Sequence, residues 1–287
     1  MALAKHRIKR ELIKLSFLIP AVLFFVVIIV LPFVKGLSYS FTDWDGISES
    51  RNFIGFKNYS LLFQDHNLLK PLKNTLFFWV VTLIGTNGIG LMMALAVNGS
   101  GRFNRALRTV FFLPFVLSLV LVAFLWTYLY SEILYPYFGV KSLLGNPHTV
   151  MWGISIMAIW KDAGYCMVIY LAALQLVPAE YYEAAKVEGA GLFRRFISVT
   201  LPMIVPALTA NITLLTGWGL KVFDYPMTAT GGGPGNASET LAIYVYNYTF
   251  PYNQAGYGQA AAIMLLVLVF AITAVVAGLL RRKEVEM

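Results

Sequence analysis

The sequence is poor in cysteine and in charged residues. Its one cysteine among 287 residues, Cys166, lies within an apolar run, which excludes a disulfide framework and a thiolate metal site. Only 13% of the residues are charged, against roughly 25% in soluble domains, while 59% are hydrophobic. These proportions exclude an ordinary soluble domain and predict a protein that crosses the membrane several times.

Sequence patterns for catalysis and for ATP hydrolysis are also missing. No Gly-Lys pair occurs, so the chain has no phosphate-binding loop of the Gly-x-x-x-x-Gly-Lys-Ser/Thr type. The three histidines are far apart and outside the predicted spans, so neither a metal set nor a catalytic nucleophile emerges. We therefore expect no catalytic residue, no metal ligand and no cofactor bound by this chain, which is predicted not to be an enzyme.

Six apolar runs are long enough to cross a hydrocarbon core of about 30 Å as helices. They lack the alternating pattern of barrel strands, and a helix satisfies its own backbone hydrogen bonds in lipid. The fold class is therefore an all-α membrane protein with one transmembrane domain over residues 1–287. The predicted spans are residues 15–34, 76–97, 110–130, 150–177, 203–222 and 260–280.

The distribution of basic residues predicts the orientation of these spans. With the amino terminus inside, the inner segments carry 14 lysines and arginines and the outer segments carry 6. Positive charge favours the cytoplasmic side, so both termini are expected there. The net charge of +8 is spread over short segments between apolar runs, which favours a lipid bilayer and not nucleic acid as the partner.

A polar segment between the fourth and fifth spans, residues 178–202, is here called the charged loop. Pro178 and the acidic residues that follow are typical of a helix start, and Gly189 with Gly191 is expected to separate two short helices. The predicted topology puts this loop in the cytoplasm. Two interpretations are then open: a solvated helical hairpin or a docking surface for another protein. Two prolines, Pro202 and Pro206, are expected to redirect the chain into the fifth span.

The order of residues in the charged loop resembles a known signature. Glu183-Ala184-Ala185, followed by Gly189 and then Leu201-Pro202, is similar to the EAA motif of membrane subunits of ATP-binding-cassette (ABC) importers. The resemblance implies a coupling helix that inserts into a groove on a cytoplasmic ATPase subunit. The residues that it implies for ATPase coupling are Glu183, Ala184, Ala185, Glu188, Gly189, Ala190, Leu201 and Pro202.

The resemblance extends over nearly the whole chain. Phe17–Ala21, the stretch from Trp160 to Pro178, and Phe223-Asp224-Tyr225 leading to Thr230-Gly231-Gly232-Gly233-Pro234 are similar to maltose-type sugar permeases, in the subunit with the Gly-Gly-Pro loop. It implies a multi-pass permease of a prokaryotic cell membrane that imports a di- or oligosaccharide by alternating access. The implied partners are a second permease subunit, two cytoplasmic ATPase subunits that hold ATP and magnesium, and an extracytoplasmic solute-binding protein.

Ionisable residues within or next to the spans are candidates for the substrate pathway. Lys161 and Asp162 lie in the fourth span, and Lys221 and Asp224 lie at the end of the fifth. Buried charges are costly in lipid, so they usually face a cavity, although snorkelling to the interface or mutual pairing is also open. Tyr165 and Trp218 offer aromatic faces for a sugar or simple packing, and the resemblance adds Gly219 and Val222.

A different class of transporter remains as the alternative. Lys161 and Asp162 would then form the relay of an ion-coupled secondary transporter or channel that needs no ATPase. Such transporters often show paired helix interruptions in two repeated halves, and we find no such pairing in this sequence. Transport by the chain alone in liposomes favours the alternative, whereas a stable complex with an ATPase favours the importer.

Overall fold

The computed structural model describes residues 17–282, which form helices, turns and one isolated β-bridge. The predicted amino-terminal basic segment, the first two residues of the first span and Lys283 lie outside the described residues. The helices are α1 Phe17–Tyr39, α2 Lys57–Gln64, α3 His66–Ala96, α4 Arg102–Val116, α5 Leu119–Phe138, α6 Val150–Leu176, α7 Ala179–Val187, α8 Leu192–Met203, α9 Val205–Leu220, α10 Asp224–Thr230, α11 Leu241–Thr249 and α12 Ala255–Arg281.

The described chain divides into two compact units, and the first contains residues 17–64 and 245–263. Its loop after α1 is held by the buried amide of Asn58, whose Nδ2 donates to the carbonyl oxygens of Ser40 and Thr42 at 2.9 and 2.8 Å. The backbone amide of Gly256 donates to the carbonyl oxygen of Trp44 at 2.8 Å. The segment between α1 and α2 is therefore an ordered loop.

The second unit contains residues 65–244 and 264–282. Here α6 packs closely against α3 and α4, because glycines leave room for the neighbouring backbones. A Cβ atom at Gly164 would lie 2.3 Å from the carbonyl oxygen of Phe111, and one at Gly90 would lie 2.7 Å from the Cβ of Cys166. Small residues at helix contacts are the usual means of close packing in membranes, where the hydrophobic effect between helices is absent.

The buried side chains of this unit form two clusters along α6. The first cluster surrounds the amino-terminal half of α6 and includes Phe78 of α3 and Val222 just after α9. The second surrounds its carboxyl-terminal half and includes Ala94 of α3 and Ile204 just before α9. Helices α3 and α6 therefore run parallel and α9 runs antiparallel to them, as alternate crossings of a bilayer require.

Within residues 17–282, five helices are long and apolar enough to cross a membrane: α1, α3, α5, α6 and α12. A sixth crossing arises if α8 and α9, which meet at a bend of 66°, count as one span. Proline explains the bend, because Pro206 in the first turn of α9 has no N–H for the preceding turn. The all-helical fold with five or six candidate spans agrees with the sequence prediction.

The third span differs from the predicted residues 110–130. The apolar run is interrupted where Leu117 and Ser118 adopt extended backbone, with ψ of 143° and 144°. Pro114 lies in the last turn of α4, and the Ser118 hydroxyl accepts the amide of Leu121 at 3.4 Å as the cap of α5. The candidate span is therefore α5, because composition alone does not locate a break inside an apolar run.

Smaller differences occur at the other boundaries. The second predicted span began at residue 76, whereas α3 begins at His66; the fifth was predicted over residues 203–222, whereas α9 covers Val205–Leu220. The fourth span, predicted over residues 150–177, agrees with α6 to within one residue. Polar residues in the first turns of α3 account for the late prediction, because they lie outside the apolar run.

Candidate functional site

The charged loop folds as a helical hairpin directly after α6. Helix α7 begins after Pro178. This proline is the cap residue that precedes the helix, whereas we expected it within the first turn. Glu180 lies in the first turn. The helix ends in a left-handed glycine, Gly189, with φ of +76°. The amide of Ala190 donates to the carbonyl oxygen of Ala185 at 2.9 Å, and that of Gly189 donates to Lys186 at 3.0 Å. This is the Schellman pattern, which explains why glycine occupies this position.

The predicted coupling residues lie on this hairpin. Four of them, Glu183, Ala184, Glu188 and Gly189, are exposed, whereas Ala185, Ala190, Leu201 and Pro202 are half-buried. The hydroxyls of Tyr182 and Thr200 lie 3.1 Å apart and join α7 to the carboxyl-terminal part of α8. The hairpin therefore has a bonded base near the second cluster and an exposed tip.

Large apolar side chains are exposed on the tip of the hairpin. Val187 is 90% exposed, Leu192 is 80% exposed and Phe193 is 77% exposed. They lie beyond the carboxyl terminus of the α6 span and next to exposed charged residues, Glu188 and Arg194. Apolar side chains clustered on a polar, exposed segment are typical of a surface that another protein covers.

Lys161, a candidate for the substrate pathway, is occupied by a contact within the chain. Its Nζ donates to the carbonyl oxygen of Phe115 at 2.8 Å and lies 4.9 Å from the centre of the Phe115 ring. This carbonyl is near the end of α4, where the break at Leu117 removes the usual helical donor. The ammonium group therefore caps a broken helix, which offsets part of the cost of placing a charge there.

Asp162 is held by a different neighbour. Its Oδ2 accepts a hydrogen bond from the hydroxyl of Tyr225 at 2.7 Å, which joins α6 to α10. Lys161 and Asp162 are thus directed to different partners, as expected for adjacent residues about 100° apart on a helix. This arrangement gives no support to a Lys161–Asp162 ion relay.

Three aromatic side chains lie in contact between α4, α6 and α9. The rings of Phe115 and Tyr165 stack with centres 5.0 Å apart, and those of Tyr165 and Trp218 are 5.3 Å apart and tilted. Tyr165 is half-buried and Trp218 is 40% exposed. The structure therefore brings the two predicted aromatic candidates together, and Trp218 is partly exposed.

The remaining pathway candidates have separate surroundings. A Cβ atom at Gly219 would lie 3.1 Å from the Cα of Trp79, so this glycine serves the packing of α9 on α3. Val222 is buried in the first cluster. Lys221 and Asp224 are exposed at the end of α9 and the start of α10. The geometry does not bring these four residues into one group with Tyr165.

Two residues in these contacts were absent from the sequence prediction. Tyr225 lies within the Phe223-Asp224-Tyr225 segment, and its position beside a charged residue could have marked it as a candidate. Its partner, Asp162, could not be predicted from the sequence. Phe115 lies in an apolar run of phenylalanines, and nothing in that run distinguishes it. Only the helix break at Leu117 directs its carbonyl to Lys161.

Candidate spanning helices with an exposed hairpin between two of them, α6 and α9, fit the membrane subunit of a transporter. Comparison with known proteins leads to the same class. Residues 86–285 match the family described as binding-protein-dependent transport system inner membrane component. The chain belongs to this family.

Similar curated proteins are transport subunits. The chain is 30% identical over 277 residues to the probable starch degradation products transport system permease protein AmyD of Thermoanaerobacterium thermosulfurigenes. The match covers 94% of each chain. It is 30% identical over 233 residues to the multiple sugar-binding transport system permease protein MsmF of Streptococcus mutans, which covers 79% of this chain and 80% of the relative.

A solved structure is similar over the full chain. It is the crystal structure of a bacterial ABC transporter involved in the import of the acidic polysaccharide alginate, with a TM-score of 0.85, 26% identity, and coverage of 98% of this chain and 99% of the other. The prediction of an ABC-importer permease is thus confirmed. The protein is a multi-pass membrane subunit of a binding-protein-dependent transport system and not an enzyme.

Proposed function

We propose that this chain is one of two permease subunits of a sugar importer and that its cargo is a di- or oligosaccharide. The relatives named for starch degradation products and multiple sugars support this cargo class. Each permease would form half of a pathway that opens alternately to the two sides of the membrane. ATP and magnesium would be bound by the partner ATPase subunits, and this chain would bind neither.

Both termini and the charged loop face the cytoplasm in this proposal. The excess of lysine and arginine on that side supports the orientation. The extracytoplasmic side then contains the ordered loop between α1 and α2, helix α2 itself, and the segment from Phe223 to Gln254. A reporter fused at Met287 that proved to be extracytoplasmic would contradict the orientation.

The charged loop acts as the coupling element that receives the motion of the ATPase. The observation that carries this proposal is the exposed tip with Val187, Leu192 and Phe193. Burying such a side chain in a partner contributes about 1.5–3 kcal/mol. Glu183 on the exposed part of α7 adds a charge for recognition, and the bonded base transmits displacement of the tip to α6 and α9.

The substrate pathway is proposed to pass the aromatic contact of Tyr165 and Trp218. Aromatic faces suit the apolar faces of sugar rings, and the partly exposed Trp218 is the better placed of the two. The other candidates proposed to border the pathway are Gly219, Lys221, Val222 and Asp224. Lys161 and Asp162 are proposed to serve it indirectly, through the contacts that orient α4 and α10.

Charge reversal at Glu183 tests the coupling proposal. The full complex is reconstituted in proteoliposomes, with ATP supplied on the side of the membrane that carries the ATPase subunits. Uptake of labelled maltooligosaccharides and ATP hydrolysis are measured in the same vesicles. Glu183→Lys is expected to lower uptake per ATP hydrolysed at least tenfold, while membrane insertion is unchanged.

The matched control is Glu49→Lys, the same charge change at an exposed residue in the loop between α1 and α2. It is expected to leave the uptake per ATP within twofold of the wild type. Equal losses for the two variants would contradict a specific role of Glu183. Absence of uptake of every member of a panel of di- and oligosaccharides, maltooligosaccharides among them, by the wild-type complex would contradict the proposed cargo.

A further inference from the structure

The Gly-Gly-Pro loop, residues 231–240, has no assigned role in the coupling or in the aromatic contact. Its second half is deeply buried: Ala237 is 3% exposed, and Ser238 and Thr240 are fully buried. The hydroxyl of Ser238 donates to the carbonyl oxygen of Gly233 at 2.8 Å. The loop is therefore a fixed part of the second unit and not a solvated connection.

Helix α3 holds the loop through its first turns. The Nδ2 of Asn74 donates to the carbonyl oxygens of Ala237 and Glu239 at 3.0 and 2.8 Å. The Thr75 hydroxyl accepts the backbone amide of Leu241 at 2.9 Å. These bonds pair backbone groups of a largely buried segment with donors and acceptors on α3, which makes Asn74 costly to remove.

Helix α6 holds the other end of the same segment. Tyr225, in the helix that leads directly into the loop, donates its hydroxyl hydrogen to Asp162. Its ring packs against Phe78 of α3 with centres 5.9 Å apart. A hydrogen bond to a carboxylate is among the stronger ones in proteins, so the entry to the loop is fixed as firmly as its exit.

The loop in turn fixes the end of α9. The Thr240 hydroxyl donates to the carbonyl oxygen of Val222 at 2.7 Å, and this carbonyl follows the last turn of α9, where helical donors are absent. Trp218 lies one helical turn before Val222. Thr240 is thus one of the contacts that hold the end of α9 near Trp218. Another is the hydrogen bond that Trp79 Nε1 donates to the Thr216 hydroxyl at 3.2 Å.

We propose that Asp162 and Asn74 are positioning residues that hold the Gly-Gly-Pro loop on α6 and α3, so that Thr240 fixes the end of α9 and the setting of Trp218. In this assignment the carboxylate of Asp162 acts through Tyr225 and does not contact the sugar. The inference rests on the proposed function, because it gives the loop a role in shaping the sugar pathway.

The charge and the hydrogen bond of Asp162 are separable by mutation. Asp162→Asn removes the charge but keeps a side-chain oxygen that accepts the Tyr225 hydroxyl, whereas Asp162→Ala and Tyr225→Phe each break the bond. In the reconstituted complex we expect near wild-type maximal uptake for Asp162→Asn and a loss of about tenfold or more for the other two. The Asp162→Ala/Tyr225→Phe double variant should lose no more than either single variant, because one bond is involved.

A direct sugar contact by Asp162 predicts a different pattern. Asp162→Asn and Asp162→Ala would then both raise the half-saturating concentration of sugar-loaded binding protein or sugar, and Tyr225→Phe would leave uptake intact. The positioning role predicts lower maximal uptake with the half-saturating concentration unchanged. An intact Tyr225→Phe variant would overturn the proposal.

Asn74 provides an independent test with a control on the same helix. Asn74→Ala is expected to lower maximal uptake by about tenfold, because it removes two bonds to buried carbonyls, whereas Asn67→Ala at an exposed position of α3 is expected to be neutral. A rise in the half-saturating concentration of binding protein in Asn74→Ala, with maximal uptake unchanged, would make the loop a docking surface and overturn the positioning role.

A labelling measurement separates this inference from the proposed cargo, because it needs no sugar. Cysteine is introduced as Ala237→Cys in the full complex; the native Cys166 is buried. A membrane-impermeant maleimide should label Cys at position 237 slowly in the parent and at least tenfold faster when Tyr225→Phe or Asn74→Ala is added. Asp162→Asn should restore slow labelling relative to Asp162→Ala. Unchanged labelling in all variants would overturn the inference even if sugar uptake by the parent confirms the cargo.

Discussion

The substitution Gly189→Ala isolates the backbone requirement of the hairpin tip. Gly189 has φ of +76°, and an added Cβ would meet no heavy atom within 4 Å, so the cost arises from the backbone alone. For an L-residue the left-handed region costs about 1–2 kcal/mol. Gly191 provides a matched control, because it also has open space around a Cβ but has φ of −66°.

The cost at Gly189 acts on a segment with little to compensate it. The tip is exposed, and its helix end relies on the Gly189 and Ala190 amides that form the Schellman pattern. A shift of about 1–2 kcal/mol lowers the population of the native tip relative to its alternatives by about five- to thirtyfold. The same substitution at Gly191 is expected to be neutral or slightly stabilising, since it restricts the unfolded chain.

The assay is uptake per ATP hydrolysed by the reconstituted complex, with the amount of inserted permease measured in the same vesicles. Gly189→Ala should lower the ratio about five- to thirtyfold at unchanged insertion, and Gly191→Ala should stay within twofold of the wild type. Equal ratios for the two variants would refute the argument that the left-handed conformation at Gly189 is required for coupling.

Three further outcomes follow from the structure. Trp218→Ala should lower sugar uptake at least tenfold while ATP hydrolysis by the complex persists; unchanged uptake would remove this residue from the pathway. Gly164→Ala should lower the melting temperature of the purified permease, because its Cβ would meet the Phe111 carbonyl oxygen, whereas Gly217→Ala has open space and should not; equal shifts would contradict this packing.

In the loop after α1, hydrogen bonds from the Ser48 hydroxyl and from backbone amides lower the pKa of Asp45 to about 2. Because the pKa is lower in the folded protein, ionised Asp45 stabilises the folded loop at pH values above the usual pKa of the carboxyl group. This stabilisation is lost as the pH falls toward 2. A carboxyl NMR titration with a midpoint near 4 would contradict it.

The apolar runs were sufficient to predict the helices, because a span in lipid must be both long and apolar. Pro178 and Gly189 were likewise sufficient for the limits of α7, since each restricts or frees the backbone locally. The break at Leu117 was missed because the run around it stays apolar. The break also involves a residue far along the chain. Lys161 donates a hydrogen bond to the carbonyl oxygen of Phe115, which the break leaves without a helical donor.

The aromatic candidates show a second limit of sequence. Tyr165 and Trp218 were predicted from the aromatic faces that they offer, and the structure brings their rings together. No local pattern assigned Tyr225 to Asp162 or Asn74 to the Gly-Gly-Pro loop. Those pairs join residues 63 and 163 positions apart, and only the packing of whole helices determines them.

The most direct test of the coupling role is cross-linking from the tip of the hairpin. A photoreactive side chain replaces Phe193 in the purified complex of this permease with its partner subunits, and the cross-linked products are identified by mass spectrometry. The proposed function predicts cross-links to the ATPase subunit, diminished in Gly189→Ala. Cross-links to the solute-binding protein, or to lipid without any to the ATPase, would contradict the assignment of residues 178–202 as the coupling element.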